Sequence, residues 1–298
     1  MDLRQLTYFV EIVQRGGFTR AAEAIHVAQP ALSAAIRKLE TELGVTLLER
    51  GGRRVALTAD GRAFLARAEG ILGGVRGLEL EMRERQGLVR GELAVAVPAM
   101  LATYAFPAVV ESFRARHPGI HLSVDTGGAR SIEARLAAGE LDLGIVARDG
   151  LRGELVYRKL LRDEVVACVG RGHPLAARRS VTIEQIAREP LLLFRPGFFQ
   201  RDLLLAEIER RGLTPTIAFE SDLVALLVPA AAGGGGVTTL LRLAAEGEPR
   251  LVPLSLRPAA FVEAGFAWRA GAYLSKAARA FVEFVLAANL RGGARDDR

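Results

Sequence analysis

The chain has 298 residues, half of them hydrophobic and a quarter charged, with a formal net charge of +6. That composition excludes a disordered chain, and no apolar run approaches the roughly 18 uninterrupted residues that cross a bilayer. The length predicts two or three domains, and the single Cys168 excludes an internal disulfide or a multi-cysteine metal site. A buried, inert thiol is the expected role for Cys168. The opening residues, MDLRQLTYFVEIVQRG, mix charges into the apolar positions, unlike a secretory leader. A cytoplasmic protein with no membrane partner is expected.

Leu3, Leu6, Phe9, Val10 and Val13 fall on one face of a helix over 3–14, which Gly16-Gly17 ends. Thr19 is the expected N-cap of a short second helix carrying Ala21, Ala22 and Ile25. After His26-Val27-Ala28 a third helix begins, with Pro30 in its first turn, where the missing N–H costs nothing. Leu32, Ile36, Leu39 and Leu43 then repeat at helical steps until Gly44 stops the run. Next, 46–50 and 53–57 flank Gly51-Gly52, a tight hairpin pattern. Three helices and a hairpin within residues 1–58 predict a winged helix-turn-helix.

A longer helix is expected from Thr58. Phe64, Ala68, Ile71, Val75, Leu78 and Met82 alternate steps of four and three, the seam of a coiled coil. Gly70, Gly73, Gly74 and Gly77 each cost about 1 kcal/mol of helix propensity relative to Ala. Such a helix needs a partner, which the seam predicts to be the same helix of a second subunit. Residues 59–90 thus read as a dimerisation helix and hinge, the hinge running from Gly87 to Gly91. From residue 92, short apolar runs (93–97, 120–124, 141–146, 165–169, 191–194) alternate with helical stretches at 101–116, 131–138 and 275–288. This βαβ punctuation predicts parallel or mixed sheets covered by helices, in two lobes. The fold class is α plus α/β.

On the third helix, Pro30, Ala34, Arg37 and Thr41 lie opposite the apolar stripe, with Ser33 beside them. In a helix-turn-helix that face enters the major groove. Gln29 can read adenine bidentately, Arg37 can take guanine or a phosphate, and Ser33 can meet either. Arg50, Arg53 and Arg54 on the hairpin can neutralise phosphates or enter a minor groove. On periodicity alone, a solvated amphipathic face remains the alternative.

Two other function classes have little support. His117 and His121 are separated by Pro118-Gly119, which breaks the helix that would align them, while His26 and His173 lack a ligand pattern. The glycine run at 233–236 lacks the Lys-Ser/Thr of a phosphate loop, and Ser131 and Ser221 sit in no nucleophile elbow. No enzyme, cofactor or metal centre is expected. A solute-binding module would have no use for residues 1–58.

The motif series LTYF (6–9), GFTRAA (17–22), QPALS (29–33), IRKLE (36–40), LGVTLLER (43–50) and LTADG (57–61) resembles the LysR-type transcriptional regulators of bacteria. Thinner matches continue through FRARHP (113–118), GELDLGI (139–145), HPLA (173–176), the run 233–237 and the segment 275–284. The resemblance implies a homodimer or homotetramer on double-stranded promoter DNA, with RNA polymerase a further candidate partner. It implies an effector domain over 91–298 that resembles periplasmic binding proteins, with lobe I at 91–162 plus 266–298 and lobe II at 163–265. It supports Gln29, Pro30, Ser33 and Arg37 at the groove and Arg50 with Arg53 or Arg54 on the wing. Ala28 and Ala34 depart from the family by lacking a cap and a long polar side chain. A small-molecule effector, anionic or aromatic, is implied between the lobes, against Pro98, Ala99, Met100, Gly128, Ala129, Arg130, Phe194, Phe199, Gln200, Arg201 and Trp268. Ala at 99 and 129, where relatives carry hydroxyls, predicts a more apolar pocket, with Arg130, Arg148, Arg201 or Arg269 supplying charge at its rim. Activation and repression are equally compatible with the sequence.

Overall fold

The computed structural model describes residues 1–49, 55–85, 91–149, 151 and 155–288. The chain divides into two compact units, 1–88 and, apart from two short returns to the first unit at 137–140 and 271–273, the remainder.

In the first unit, α1 (Leu3–Arg15) begins with a capping box in which Asp2 and Gln5 exchange side-chain to backbone hydrogen bonds. It ends at Gly16, whose left-handed φ of 66° a residue without a Cβ adopts freely. Its buried face is Leu6, Phe9, Val10 and Ile12, whereas Leu3 is 46% exposed. α2 (Phe18–Ala24) starts one residue before the expected cap. Its N-cap is Gly17, which lacks a side chain, and Thr19 lies inside the helix. α3 (Gln29–Leu43) carries Pro30 in its first turn and ends at left-handed Gly44, while its N-cap Ala28 makes no side-chain bond. Leu32, Ile36 and Leu39 are fully buried, but Leu43 at the last turn is exposed.

A two-stranded hairpin follows: β1 (Leu48–Glu49) pairs antiparallel with β2 (Ala56–Leu57), Leu48 opposite Leu57. The Gly51-Gly52 turn and Arg50, Arg53 and Arg54 lie outside the described residues, as do residues 87–90 of the expected hinge. α4 (Ala59–Arg85) runs unbroken through Gly70, Gly73, Gly74 and Gly77. The expected seam divides along it. Phe64 packs edge-on against Phe9, ring centroids 5.1 Å apart, and Ala68 is 1% exposed in the core of this unit. Those two residues serve their own domain rather than a second subunit, because the first turns of α4 close the core of α1. Ile71, Leu78 and Met82 remain exposed and Val75 partly so.

The second unit is built on a seven-stranded mixed sheet. β3 (Gly91–Pro98), β4 (Ile120–Gly127) and β5 (Leu143–Ala147) are mutually parallel, the pattern that βαβ punctuation predicts. The helical stretch at 101–116 is two helices, α5 (Ala99–Tyr104) and α6 (Phe106–Arg116), with Pro107 at the start of the second. α7 (Ala129–Ala137) and α12 (Lys276–Ala287) complete the cover, the latter through Phe281, which meets Phe113 edge-on at 4.9 Å.

Two long strands, β6 (Leu155–Gly170) and β11 (Leu251–Arg269), pair antiparallel and serve both ends of the unit. Residues 264–267 of β11 pair with β5, while residues 165–168 of β6 pair with β10 (Thr238–Leu241). The register slips between Ser255 and Ala260 and between Ala264 and Gly265, where irregularity bends the ribbon. The limits expected at 162/163 and 265/266 therefore fall inside β6 and β11. At the far end, β7 (Ser180–Thr182) joins β11, α8 (Ile183–Ile186) follows it, and β8 (Pro190–Phe194) pairs in parallel with β9 (Thr216–Ser221). α9 (Phe199–Arg210), α10 (Val224–Ala232) and α11 (Arg242–Glu246) complete that end.

Candidate nucleic-acid interface and effector cleft

The turn between α2 and α3 depends on His26, which adopts a left-handed φ of 54° and is exposed. The chain thus turns within the four residues 25–28 and presents α3 with its apolar stripe inward. Gln29, Pro30, Ala34, Arg37 and Thr41 line the outer face, with Ser33 half-buried beside them. Thr41 Oγ1 donates back to the Arg37 carbonyl at 2.8 Å, so Thr41 bonds its own helix rather than reaching outward. Among the described residues, neither Gln29 nor Arg37 forms a side-chain hydrogen bond or ion pair. An unpaired guanidinium on an exposed helix face, backed by a fully buried one, is suited to base edges or phosphates.

In the second unit, the expected effector residues do not form one open wall. Gly128 lies so close to the 197–198 loop that a Cβ there would stand 2.8 Å from the Gly197 carbonyl oxygen. Arg130 crosses the same junction to Asp202 at 3.0 Å. Phe194 is 1% exposed and stacks on Phe198 at 4.9 Å, while Met100 is buried and its Sδ accepts the Leu241 N–H at 3.3 Å. Pro98, Ala99, Ala129, Phe199 and Trp268 are half-buried and Gln200 is buried.

Arg201 departs furthest from expectation. It is not a rim charge; it is 9% exposed, donates to the Phe194 carbonyl at 2.7 Å and pairs with Glu220. A buried guanidinium needs such partners, since an unpaired one would bear a large desolvation cost. The link joins the C-terminal ends of β8 and β9 to the first turn of α9. Arg148 is exposed and pairs with Glu263 at 3.0 Å, as does Lys159, and together they hold the Glu263 carboxyl below its ordinary range.

A cavity of about 480 Å³ opens beside α5, lined by Ala99, Thr103, Tyr104, Thr126, Leu223 and Arg250 among others. Of the expected effector residues only Ala99 reaches it. Tyr104 OH donates to Glu248 at 3.4 Å, and Arg250 Nε donates to Glu248 at 2.7 Å. Burial and the Glu248 charge push the Tyr104 hydroxyl up to about 12, so it enters this cavity protonated. No periodicity marks these residues, because they come from four separate segments.

Cys168 lies at 0% exposure in β6, and desolvation pushes its thiol up to about 12. Such a thiol is inert. His173 Nδ1 accepts the Leu175 N–H at 3.2 Å and Nε2 faces Glu189 at 3.6 Å, which makes it a structural turn residue.

Comparison with known proteins accords with this geometry. Residues 3–62 match the family model of the bacterial regulatory helix-turn-helix protein, lysR family, and residues 86–289 match the LysR substrate binding domain. The uncharacterized HTH-type transcriptional regulator YcgK of Bacillus subtilis is 31% identical over 302 residues, covering 95% of this chain and 93% of its own. A full-length OxyR variant from Pseudomonas aeruginosa superimposes with a TM-score of 0.72 at 26% identity, covering 96% of this chain and 94% of that one. The Synechocystis PCC6803 CcmR regulatory domain in complex with 2-PG shares the fold of the second unit. Its TM-score is 0.62 at 24% identity, over 68% of this chain and all of that domain. The helix-turn-helix with its exposed arginine and the matched effector domain make one conclusion: the chain belongs to the LysR family of DNA-binding transcription regulators.

Proposed function

We propose that this regulator reads its operator through Gln29, Pro30, Ser33 and Arg37 of α3 and through Arg50, Arg53 and Arg54 of the wing, as a cytoplasmic, non-enzymatic dimer or tetramer. The observation that carries the groove reading is Arg37, exposed and, among the described residues, unpaired on the face opposite Leu32, Ile36 and Leu39. Pairing through α4 is supported by Ile71, Leu78 and Met82, apolar side chains left in solvent on one helix. An exposed apolar stripe of that kind lowers its free energy by meeting a copy of itself. A small effector, anionic or aromatic, binds between the two ends of the second unit and shifts the DNA-bound state, with RNA polymerase the downstream partner.

The test is a mobility-shift titration of the full chain against DNA from upstream of its own gene, at about 50 and 200 mM salt. Retardation that weakens at the higher salt is expected. Arg37→Ala is expected to weaken specific binding about five- to 150-fold, the range of one bidentate base contact. Unchanged affinity in that variant removes Arg37 from the interface. The same titration across a panel of small carboxylates and aromatic acids is expected to yield a compound that alters affinity or mobility; a silent panel of both classes overturns the effector assignment.

A further inference from the structure

The first unit contains a set of polar contacts that neither base reading nor apolar packing requires. Glu40 follows Arg37 by three residues on α3, yet its carboxylate turns to the strand that opens the wing. Its Oε1 accepts the backbone N–H of Leu47 at 2.9 Å and of Leu48 at 3.2 Å. Both leucine side chains are 1% exposed, so this backbone lies over the core.

The carbonyls of the same stretch are held from the other side. Thr58 Oγ1 donates to the Thr46 carbonyl at 2.7 Å, and the Thr58 N–H donates to the Leu47 carbonyl at 3.1 Å. That hydroxyl also accepts the Gly61 N–H at 2.9 Å and so caps the first turn of α4. A Cβ at Gly61 would overlap the Leu47 carbonyl oxygen, so α4 lies on the strand with no side chain between them. Residues 46–48 are therefore a backbone bridge, with donors fixed by α3 and acceptors fixed by α4.

We propose that Glu40 and Thr58 are positioning residues that hold the recognition helix, the wing strand and the linker helix in one register. Neither needs to touch DNA. Through this bridge the start of α4 sets the angle at which α3 and the wing face the duplex together. A movement of the linker helix is passed to the DNA-contacting elements through these hydrogen bonds as well as through the packing of Phe64 on Phe9. The inference rests on α3 as the groove helix, which the wild-type protein checks independently.

Chemistry supplies discriminating variants. A glutamine carbonyl accepts the same two N–H groups as the Glu40 carboxylate, whereas alanine accepts none. Serine keeps the hydroxyl of Thr58, whereas valine keeps its shape and loses every side-chain hydrogen bond. The full chain would be titrated against a duplex enriched from a random pool by the wild-type protein, and against an unselected duplex.

Glu40→Ala is expected to lower the preference for the enriched duplex at least about tenfold, the consequence of leaving backbone donors unpaired at this junction. Glu40→Gln is expected to restore it to within about threefold of wild type. Thr58→Val is expected to lose the preference and Thr58→Ser to keep it. A Glu40→Ala protein with wild-type preference overturns the proposal, including one that merely melts at a lower temperature. Equal loss in the alanine and glutamine variants also overturns it, because charge rather than geometry would then be responsible. Where Glu40→Ala lacks the wild-type helical circular dichroism, the Thr58 pair decides on the same terms: loss restored by serine supports the proposal and no loss overturns it.

Discussion

Arg201→Met separates a structural role for this side chain from a ligand-binding one. In the wild type the guanidinium is 10% exposed, donates to the Phe194 carbonyl at 2.7 Å, and meets a Glu220 side chain that is 42% exposed. The charge-assisted bond to a buried carbonyl contributes about 1.5–3 kcal/mol. The pair with Glu220 adds only about 0–1 kcal/mol, since water screens a carboxylate that exposed. Methionine retains the apolar stem of the side chain, so packing loss is small and the sum is about 1.5–4 kcal/mol. Trp268 is the only tryptophan and lies on β11, so its fluorescence reports unfolding of the second unit without contribution from the first. With a urea dependence of about 2–3 kcal/mol/M, the midpoint should fall by about 1 M. A midpoint unchanged in Arg201→Met refutes the argument that this arginine is a structural link between β8, β9 and α9. The side chain would then be free to serve a ligand.

Two further outcomes follow from burial and exposure. Leu78 is 58% exposed on α4, so Leu78→Asp should leave the fold of the single chain within about 0.5 kcal/mol while dissociating the oligomer. Sedimentation velocity should show a smaller species, and an unaltered sedimentation coefficient removes α4 as the pairing surface. The Cys168 thiol is raised in the folded state, so the stability it contributes is fully present below the ordinary thiol value of about 8.5 and is lost as pH rises toward 12. At pH 8 the native protein should not react with a disulfide reagent, whereas in guanidinium one thiol per chain should titrate; rapid native reaction contradicts this burial.

Much of the first unit is legible in its sequence. Leu32, Ile36 and Leu39 bury as their spacing requires, because a helix places residues three and four apart on one face whatever surrounds it. Gly16 and Gly44 end their helices for an equally local reason, their left-handed φ values. The same local logic identifies Arg37 as an outward side chain. It misplaces the cap of α2 at Thr19, since a hydroxyl residue shortly after two glycines satisfies the same pattern two positions late. It also reads Phe64 and Ala68 as part of a continuous seam. A heptad spacing states which residues share a face but not which neighbour covers it, and here the core around α1 takes up Phe64 and Ala68.

The second unit shows where local patterns stop. Parallel β3, β4 and β5 are implied by alternation with helices, but the antiparallel ribbon of β6 and β11 joins strands far apart in the chain. Nothing in a local window encodes that pairing. Arg201 illustrates the same limit: its identity suggests a surface cation, and only the fold brings the Phe194 carbonyl and Glu220 to it. Glu40 is visible as part of a helical motif, yet its role depends on Leu47 and Leu48 returning beneath it after the turn at Gly44. Backbone periodicity and glycine conformation thus suffice for the helix faces, the helix ends and the DNA-facing arginine, because each is settled within a few residues. Which charges are buried, which apolar faces stay open and how the recognition helix is tied to its linker required the folded chain, because each depends on atoms that distant segments supply.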